Sequence, residues 1–330
     1  MKLQNRIEIL SRLKEYLEAD GDEWKSIKEN AYHHNIWFTP EFINLAVDNI
    51  VNRFLPEKIL LEWIDHYRLD DNINPKNVGI VMAGNIPLVG FHDFLSVFTS
   101  GHLQTIKLSS KDDIPLKHLV QKMKGWDEAV HDYITFAPML KGCDAYIATG
   151  SNNSARYFEY YFSRYPSIIR RNRTSVAILK GNESAIELEK LSADIHTYFG
   201  LGCRNVTKIY VPPNYDFVPL LSSFDQYKWF ADHHRYRNNY DYNLSLLIMN
   251  NRFYMTNDTT LLVENEQVFS PISQLNYSFY TDEQALIPAL RTSNEIQCIA
   301  GTDLPFGQAQ SPGIMDYADR MDTMEFLLTL

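Results

Sequence analysis

Val78-Gly79-Ile80-Val81-Met82, running straight into Ala83-Gly84-Asn85-Ile86-Pro87, is the stretch on which the fold turns. Its first half is a short apolar run that ends at a glycine turn, the pattern of a buried strand. Leu88 to Thr99 follows with helical spacing, Leu103 to Leu108 reads as a second strand and Pro115 to Met123 as a second helix. Tyr133 to Phe136 and Ala145 to Ala148 continue the strands, with a helix expected from Asn153 to Phe162. Strands alternating with helices imply parallel βαβ units with right-handed crossovers. Sheets of that kind take ligands at the carboxyl ends of their strands.

Those ends carry chemistry. The first strand runs into Asn85, the second into Lys107-Leu108-Ser109-Ser110-Lys111, and a later one into Thr149-Gly150-Ser151-Asn152. Glycines, hydroxyls, amides and lysines on one edge suit a phosphate-bearing cofactor near helix N-termini. Neither a Gly-x-Gly-x-x-Gly fingerprint nor a P-loop is present.

Downstream, the charged segment Arg164 to Arg173 is expected to separate this unit from a second one. Val176 to Leu179 reads as a strand, Glu183 to Tyr198 as an amphipathic helix and Val206 to Val211 as another strand. Leu244 to Met249, Leu261 to Val263, Gln274 to Tyr280 and Ile296 to Ala300 complete a second α/β set. The aromatic stretch Phe224 to Tyr242 is expected to cover the core or a partner subunit. Between helix and strand lies Gly200-Leu201-Gly202-Cys203-Arg204-Asn205. Glycine lets a backbone approach a ligand closely, and Arg204 beside the thiol would favour the thiolate that attacks. The same residues also allow Cys203 to be a buried small hydrophobe.

Upstream, residues 1–66 read as helices, with prolines at 40 and 56 opening two of them in the first turn. His33-His34 and His233-His234 do not read as metal sites, since neighbours on a helix point apart and no carboxylate or cysteine cluster accompanies them. No metal is expected.

Composition narrows the function. The 330 residues are 45% hydrophobic and 22% charged, with a net charge of -10. That is a globular chain of about two domains, and its acidity argues against nucleic-acid binding. No segment reaches the roughly 18 to 20 apolar residues of a membrane span, and Met1 to Glu18 lacks the apolar core of a signal peptide. The three cysteines, Cys143, Cys203 and Cys298, are odd in number and widely spaced, which fits free thiols and a cytoplasmic location.

In this order, the loops from residue 76 to 330 resemble those of the aldehyde dehydrogenase superfamily. Within it, the chain is most similar to the acyl-CoA reductases, or fatty acid reductases, of the bacterial luminescence type. Asn85-Ile86-Pro87 looks like the family's Asn-Phe-Pro, whose amide helps form the oxyanion hole. Lys107-Leu108-Ser109-Ser110 is similar to the ribose-holding Lys-Pro-Ser-Glu, and Thr149-Gly150-Ser151 to the Thr-Gly-Ser along the cofactor phosphates. Gly200 to Cys203 stands where the catalytic cysteine belongs. Gln267 falls near a glutamate that contacts the nicotinamide ribose, Phe269-Ser270-Pro271 is similar to the family's Phe-Gly-Pro, and Pro305-Phe306-Gly307 to its Pro-Phe-Gly.

The resemblance implies an aldehyde-dehydrogenase-like α/β fold: an N-terminal helical region (1–75), a Rossmann-like cofactor domain (76–173), a catalytic domain with Cys203 (174–302) and a C-terminal tail (303–330). It implies that Cys203 attacks an acyl-CoA or other acyl thioester, with Asn85 and the Cys203 N–H holding the oxyanion, and that hydride then gives an aldehyde. The family's Glu-Leu-Gly-Gly is replaced by about Arg170-Arg171-Asn172-Arg173, so the glutamate that activates water is missing and hydrolysis to acid is disfavoured. Ser110 stands where the ribose motif has its acid, and Lys107 or Lys111 could pair with a 2′-phosphate, so NADPH is expected over NADH. Homo-oligomerisation stays open, because the N-terminal region is short for the superfamily. Two other readings also stay open: a cysteine acyltransferase or thioesterase pairing Cys203 with a histidine such as His196, and a degenerate relative that only binds nucleotide or a partner.

Overall fold

The computed structural model describes residues 1–330. The chain forms two compact units, residues 1–172 with 312–330, and residues 173–311.

In the first unit, helices α1 (Leu3–Ala19), α2 (Asp22–His34), α3 (Pro40–Asn49) and α4 (Glu57–Tyr67) come before any strand, with a π turn, Ile50–Phe54, continuing α3. Leu10, Leu13 and Leu17 recur at helical spacing on α1 and are buried. They share a core with Trp24, Trp63 and the sheet residues Val78 and Ile80.

The sheet follows as β1 (Asn77–Val81), α5 (Phe91–Thr99), β2 (Leu103–Lys107), α6 (Ile114–Trp126), α7 (Val130–Tyr133), β3 (Ile134–Phe136), β4 (Ala145–Thr149), α8 (Asn152–Phe162) and β5 (Ser167–Arg170). Its order is β3-β2-β1-β4-β5 and every pair is parallel. The chain therefore reverses its direction of winding beside β1, which is the switch point of an open α/β sheet.

Two local expectations change. Helix α5 starts at Phe91 rather than Leu88, because Leu88 takes a left-handed φ of 54° and the N–H groups of Leu88 and Val89 go to the Asp112 carboxylate. The charged segment expected to divide the units does hold their boundary, between residues 172 and 173, but it also contains β5, the edge strand of the first sheet, where no strand was expected. Arg170 is buried there, 2.6 Å from Asp93 Oδ2 on α5, and a paired, buried arginine cannot be told from a solvated one by sequence.

The second unit runs β6 (Thr174–Ile178), α9 (Ala185–His196), β7 (Val206–Val211), α10 (Val218–Ser223), a 3₁₀ segment (Phe224–Asp232), α11 (His234–Met249), β8 (Met255–Thr256), β9 (Leu261–Glu264), β10 (Gln274–Phe279), α12 (Glu283–Thr292) and β11 (Ile296–Ala300). The sheet order is β11-β6-β7-β10-β9-β8, parallel except between β8 and β9. Ser184 opens α9 with a full capping box to Glu187.

Residues 312–330 return to the first unit and end in α13 (Thr323–Leu328). Trp63 Nε1 donates to Tyr317 Oη at 2.9 Å, and Met324 and Leu327 are fully buried. No helix is long and apolar enough to cross a membrane.

Candidate active site

In the first unit, β2, β1 and β4 are neighbours, so the loops after them share one sheet edge. Asn85 is exposed on the first loop, Lys107, Ser110 and Lys111 are exposed on the second with Ser109 half-buried, and Gly150 and Ser151 lie on the third. The first two loops touch: a Cβ built on Gly84 would fall 2.5 Å from Ser109 Oγ and 3.2 Å from Asp112 Cβ. Asp112 is buried, and burial holds its carboxyl well above the usual range although it accepts from Leu88 and Val89. From α2, His34 Nε2 donates to the Ser110 carbonyl at 2.6 Å and Asn35 Nδ2 to that of Lys111 at 3.3 Å. Ser151 is the N-cap of α8, its hydroxyl accepting from Ser154 N at 3.3 Å.

In the second unit, the Cys203 loop opens with a left-handed turn. Tyr198, Phe199 and Gly200 have φ of 55°, 55° and 74° in succession. Only glycine takes that region without cost, and each other residue there costs about 1–2 kcal/mol. The turn is fixed from two sides. Phe199 is packed among the rings of Trp229, Phe230, His233 and Tyr236, with centroids 4.4 to 5.9 Å away. Asn205, fully buried, donates through Nδ2 to the carbonyls of Asp194, Ile195 and Thr197 at 3.2, 3.2 and 2.8 Å, and its Oδ1 accepts Gly202 N at 2.7 Å. Ser175 Oγ donates to the Cys203 carbonyl at 3.1 Å. Cys143 and Cys298 are buried, while Cys203 is only partly so.

The segment carrying Gln267 and Phe269 is held from the adjacent strands β7 and β10. Its carbonyls accept in turn from Ser278 Oγ (Asn265, 3.2 Å), Lys208 Nζ (Glu266, 2.8 Å), Asn276 Nδ2 (Gln267, 2.9 Å), Thr207 Oγ1 (Val268, 2.6 Å) and again Asn276 Nδ2 (Phe269, 3.0 Å). Gln267 is exposed and Phe269 half-buried. Cys203, Gln267 and Phe269 are thus all anchored to one sheet.

Two buried ionisable groups brace this unit from the last turn of α9. Asp194 accepts from Gly307 N at 2.7 Å and Ala309 N at 3.0 Å, which fixes the Pro305-Phe306-Gly307 loop. Burial pushes its carboxyl up to about 6, despite those two bonds. His196 is pulled down to about 4 by burial. Its Nδ1 donates to the Ser192 carbonyl at 2.8 Å and its Nε2 accepts from Thr260 Oγ1 at 2.8 Å, so both ring nitrogens are engaged. One histidine of each neighbouring pair has a local role, the exposed His34 at Ser110 and the half-buried His233 as the N-cap of α11 through Tyr236 N. No group of three His, Cys, Asp or Glu stands close enough to hold a metal.

Asp112, Asp194, Asn205, Lys208 and Asn276 were not legible as site residues. Asn205 directly follows the cysteine stretch, yet nothing in the sequence says that its amide turns back toward α9.

No protein-family model matches the sequence, and no curated protein matches it. Solved structures do match. The P. syringae indole-3-acetaldehyde dehydrogenase AldA, solved with NAD+ and IAA, superposes with a TM-score of 0.64 over 91% of this chain and 72% of that one, at 11% identity. The aldehyde dehydrogenase KauB from Pseudomonas aeruginosa gives the same values. An NAD-dependent aldehyde dehydrogenase from Sinorhizobium meliloti matches at 0.64 over 94% and 72%, at 10% identity. The chain has the aldehyde dehydrogenase fold. Both α/β units belong to that aldehyde dehydrogenase architecture, which the loop order had implied; at such identity the likeness is one of fold.

Proposed function

We propose that this protein is a nicotinamide-dependent oxidoreductase of the aldehyde dehydrogenase type. Its reaction is the reduction of an acyl thioester, a fatty acyl-CoA in the first instance, to an aldehyde through an acyl-cysteine. The observation that carries the reading is that Cys203 alone of the three cysteines is not buried, on a loop tied down at Gly202, Cys203 and Asn205 within this fold.

The donor set suits a dinucleotide. Lys107 and Lys111 are exposed and enter no ion pair, while the nearby acids are engaged, Asp112 with backbone N–H groups and Asp113 with Lys117 at 2.6 Å. Lys107, Ser109, Ser110 and Lys111 would hold the adenosine ribose, and their charge favours NADPH, with NADH as the alternative. Gly150 and Ser151 would lie along the phosphates, at the start of α8 where anions are favoured, and Gln267 and Phe269 would meet the nicotinamide end. When bound, the nicotinamide supplies the hydride.

The remaining steps fall to the chain. The Cys203 thiolate attacks the thioester carbonyl, with the Asn85 amide and the Cys203 N–H as oxyanion donors. CoA departs as its thiolate, which takes up a proton from water, and leaves an acyl-cysteine. With that hydride supplied, the thiohemiacetal anion held on Cys203 would collapse to the aldehyde and release the Cys203 thiolate. Segment 170–173 contains no carboxylate to activate water, its Arg170 being bound to Asp93 and its Arg171 to Glu159, which supports reduction over hydrolysis. The cysteine hydrolase reading loses support, because His196 has no ring nitrogen left to serve as a base. The free thiols fit a reducing cytoplasm.

The test follows NADPH oxidation with short and long acyl-CoA substrates, trapping the aldehyde, beside Cys203→Ala. Oxidation that needs acyl-CoA and vanishes in the variant is expected. CoA release without NADPH oxidation would mean an acyltransferase or thioesterase, and an unaffected Cys203→Ala protein would remove the cysteine from the reaction.

A further inference from the structure

We infer that Lys208 and Thr207 are positioning residues that preset the Gln267–Phe269 segment for the dinucleotide. The inference rests on the proposed function, since it assigns work to residues supporting that site.

Every carbonyl from Asn265 to Phe269 is bound by a side chain of β7 or β10. A loop that needed only to connect β9 to β10 would satisfy its carbonyls with water. Here two buried polar side chains, Lys208 and Asn276, opposite one another in the parallel register, are committed to the task. Burying an amine costs free energy unless its hydrogen bonds are made. Lys208 makes one at 2.8 Å to the Glu266 carbonyl, lies 3.7 Å from the Glu266 carboxylate and sits 4.9 Å above the Tyr210 ring. Thr207 also meets Thr174 Oγ1 at 2.6 Å, which joins a third strand to the support.

The carbonyls being turned to the sheet, the segment keeps its shape while presenting Gln267 to solvent. Thr207 and Lys208 lie on the strand that Cys203 and Asn205 lead into. Loss of either side chain's bond loosens the segment but leaves β7 paired with β6 and β10, so the thiol loop should keep its place. Preset geometry of this kind spares the ordering cost of binding.

The test uses Lys208→Met and the near-isosteric Thr207→Val, which keeps the shape of the core if the first variant folds poorly. Four quantities are read: the dissociation constant for NADPH, the KM for acyl-CoA, hydrogen exchange of residues 265–270 without cofactor, and the rate of Cys203 alkylation by iodoacetamide. Loss of one such hydrogen bond should weaken NADPH binding roughly tenfold in Lys208→Met and roughly threefold in Thr207→Val. Exchange in 265–270 should rise in step, the KM for acyl-CoA should stay unchanged, and alkylation should stay within about twofold of wild type. Folded variants that bind NADPH as tightly as wild type, with unchanged exchange, would overturn the inference. A general fall in melting temperature, with NADPH binding and the KM for acyl-CoA worsened alike, would reduce both residues to ordinary core. If wild type bound neither NADPH nor NADH, the proposed function itself would fail and the positioning role with it.

Discussion

Asn205 Oδ1 accepts the backbone N–H of Gly202 at 2.7 Å, and this bond closes the cysteine loop onto the strand that follows it. The same amide group donates to the last carbonyls of α9, so one side chain sets both the left-handed turn and the position of Cys203. Asn205→Ala should cost roughly 3 kcal/mol by leaving buried polar groups unpaired, measured by urea unfolding. Asn205→Asp keeps the acceptor and loses the donors, and it should slow Cys203 alkylation even where the protein is folded. Wild-type alkylation in folded Asn205→Asp would show that the turn does not govern the thiol.

Asp194 and His196 act oppositely on stability as pH changes. The Asp194 carboxyl rises from 3.8 in the unfolded chain to about 6, so its contribution is fully present below pH 3.8 and is lost as pH rises through 6. His196 falls from 6.5 to about 4, so its contribution is present above pH 6.5 and is lost as pH falls through 4. Each amounts to about 3 kcal/mol, and over the same window the two nearly cancel. Relative to wild type, Asp194→Asn should lose stability on acidification from pH 7 to 4.5, and His196→Gln should gain it. Urea midpoints across that range would decide, and parallel curves for all three proteins would refute the opposed pair.

The Arg170–Asp93 pair anchors the edge strand β5 to α5, with Arg170 Nη2 also donating to Thr323 Oγ1 at 2.7 Å. Asp93→Ala leaves a buried guanidinium without its carboxylate and should destabilise by about 3–5 kcal/mol. Replacing both partners, Asp93→Leu with Arg170→Met, should recover much of that loss, since apolar packing carries no desolvation cost. A double variant no more stable than the single one would mean that the pair does more than neutralise itself.

Gly84 permits the close approach of the loops after β1 and β2. Gly84→Ala would drive a methyl group to 2.5 Å from Ser109 Oγ and 2.6 Å from its Cβ, an overpacking that costs about 1–3 kcal/mol. Weaker NADPH binding is expected with it, because Ser109 is on the proposed ribose loop. Ser109→Gly in the same chain removes the obstructing side chain and should restore melting temperature. Restored stability without restored binding would separate the packing role of Ser109 from its cofactor role.

Much of the fold was legible locally. Val78 to Met82 and its successors have the apolar runs that a two-sided buried sheet demands, and the loop order already implied the aldehyde dehydrogenase arrangement. The start of α5 was not legible, since the left-handed Leu88 depends on Asp112 in another loop. Strand β5 was hidden by its one arginine, Arg170, for the same kind of reason, since the carboxylate that pairs with it is on α5.

The sequence by itself determined the alternation of strands and helices, the chemistry at each strand end and the surroundings of Cys203, glycine and cation. These are properties of neighbours along the chain, where sterics and hydrophobic period act. Only the tertiary structure decided what the polar residues do. Nothing in the local pattern says that Arg170, Asp194, Lys208, Asn205 and Asn276 are buried, yet all are, because a polar group leaves water only where a partner waits, and their partners are brought to them by the topology of the two sheets.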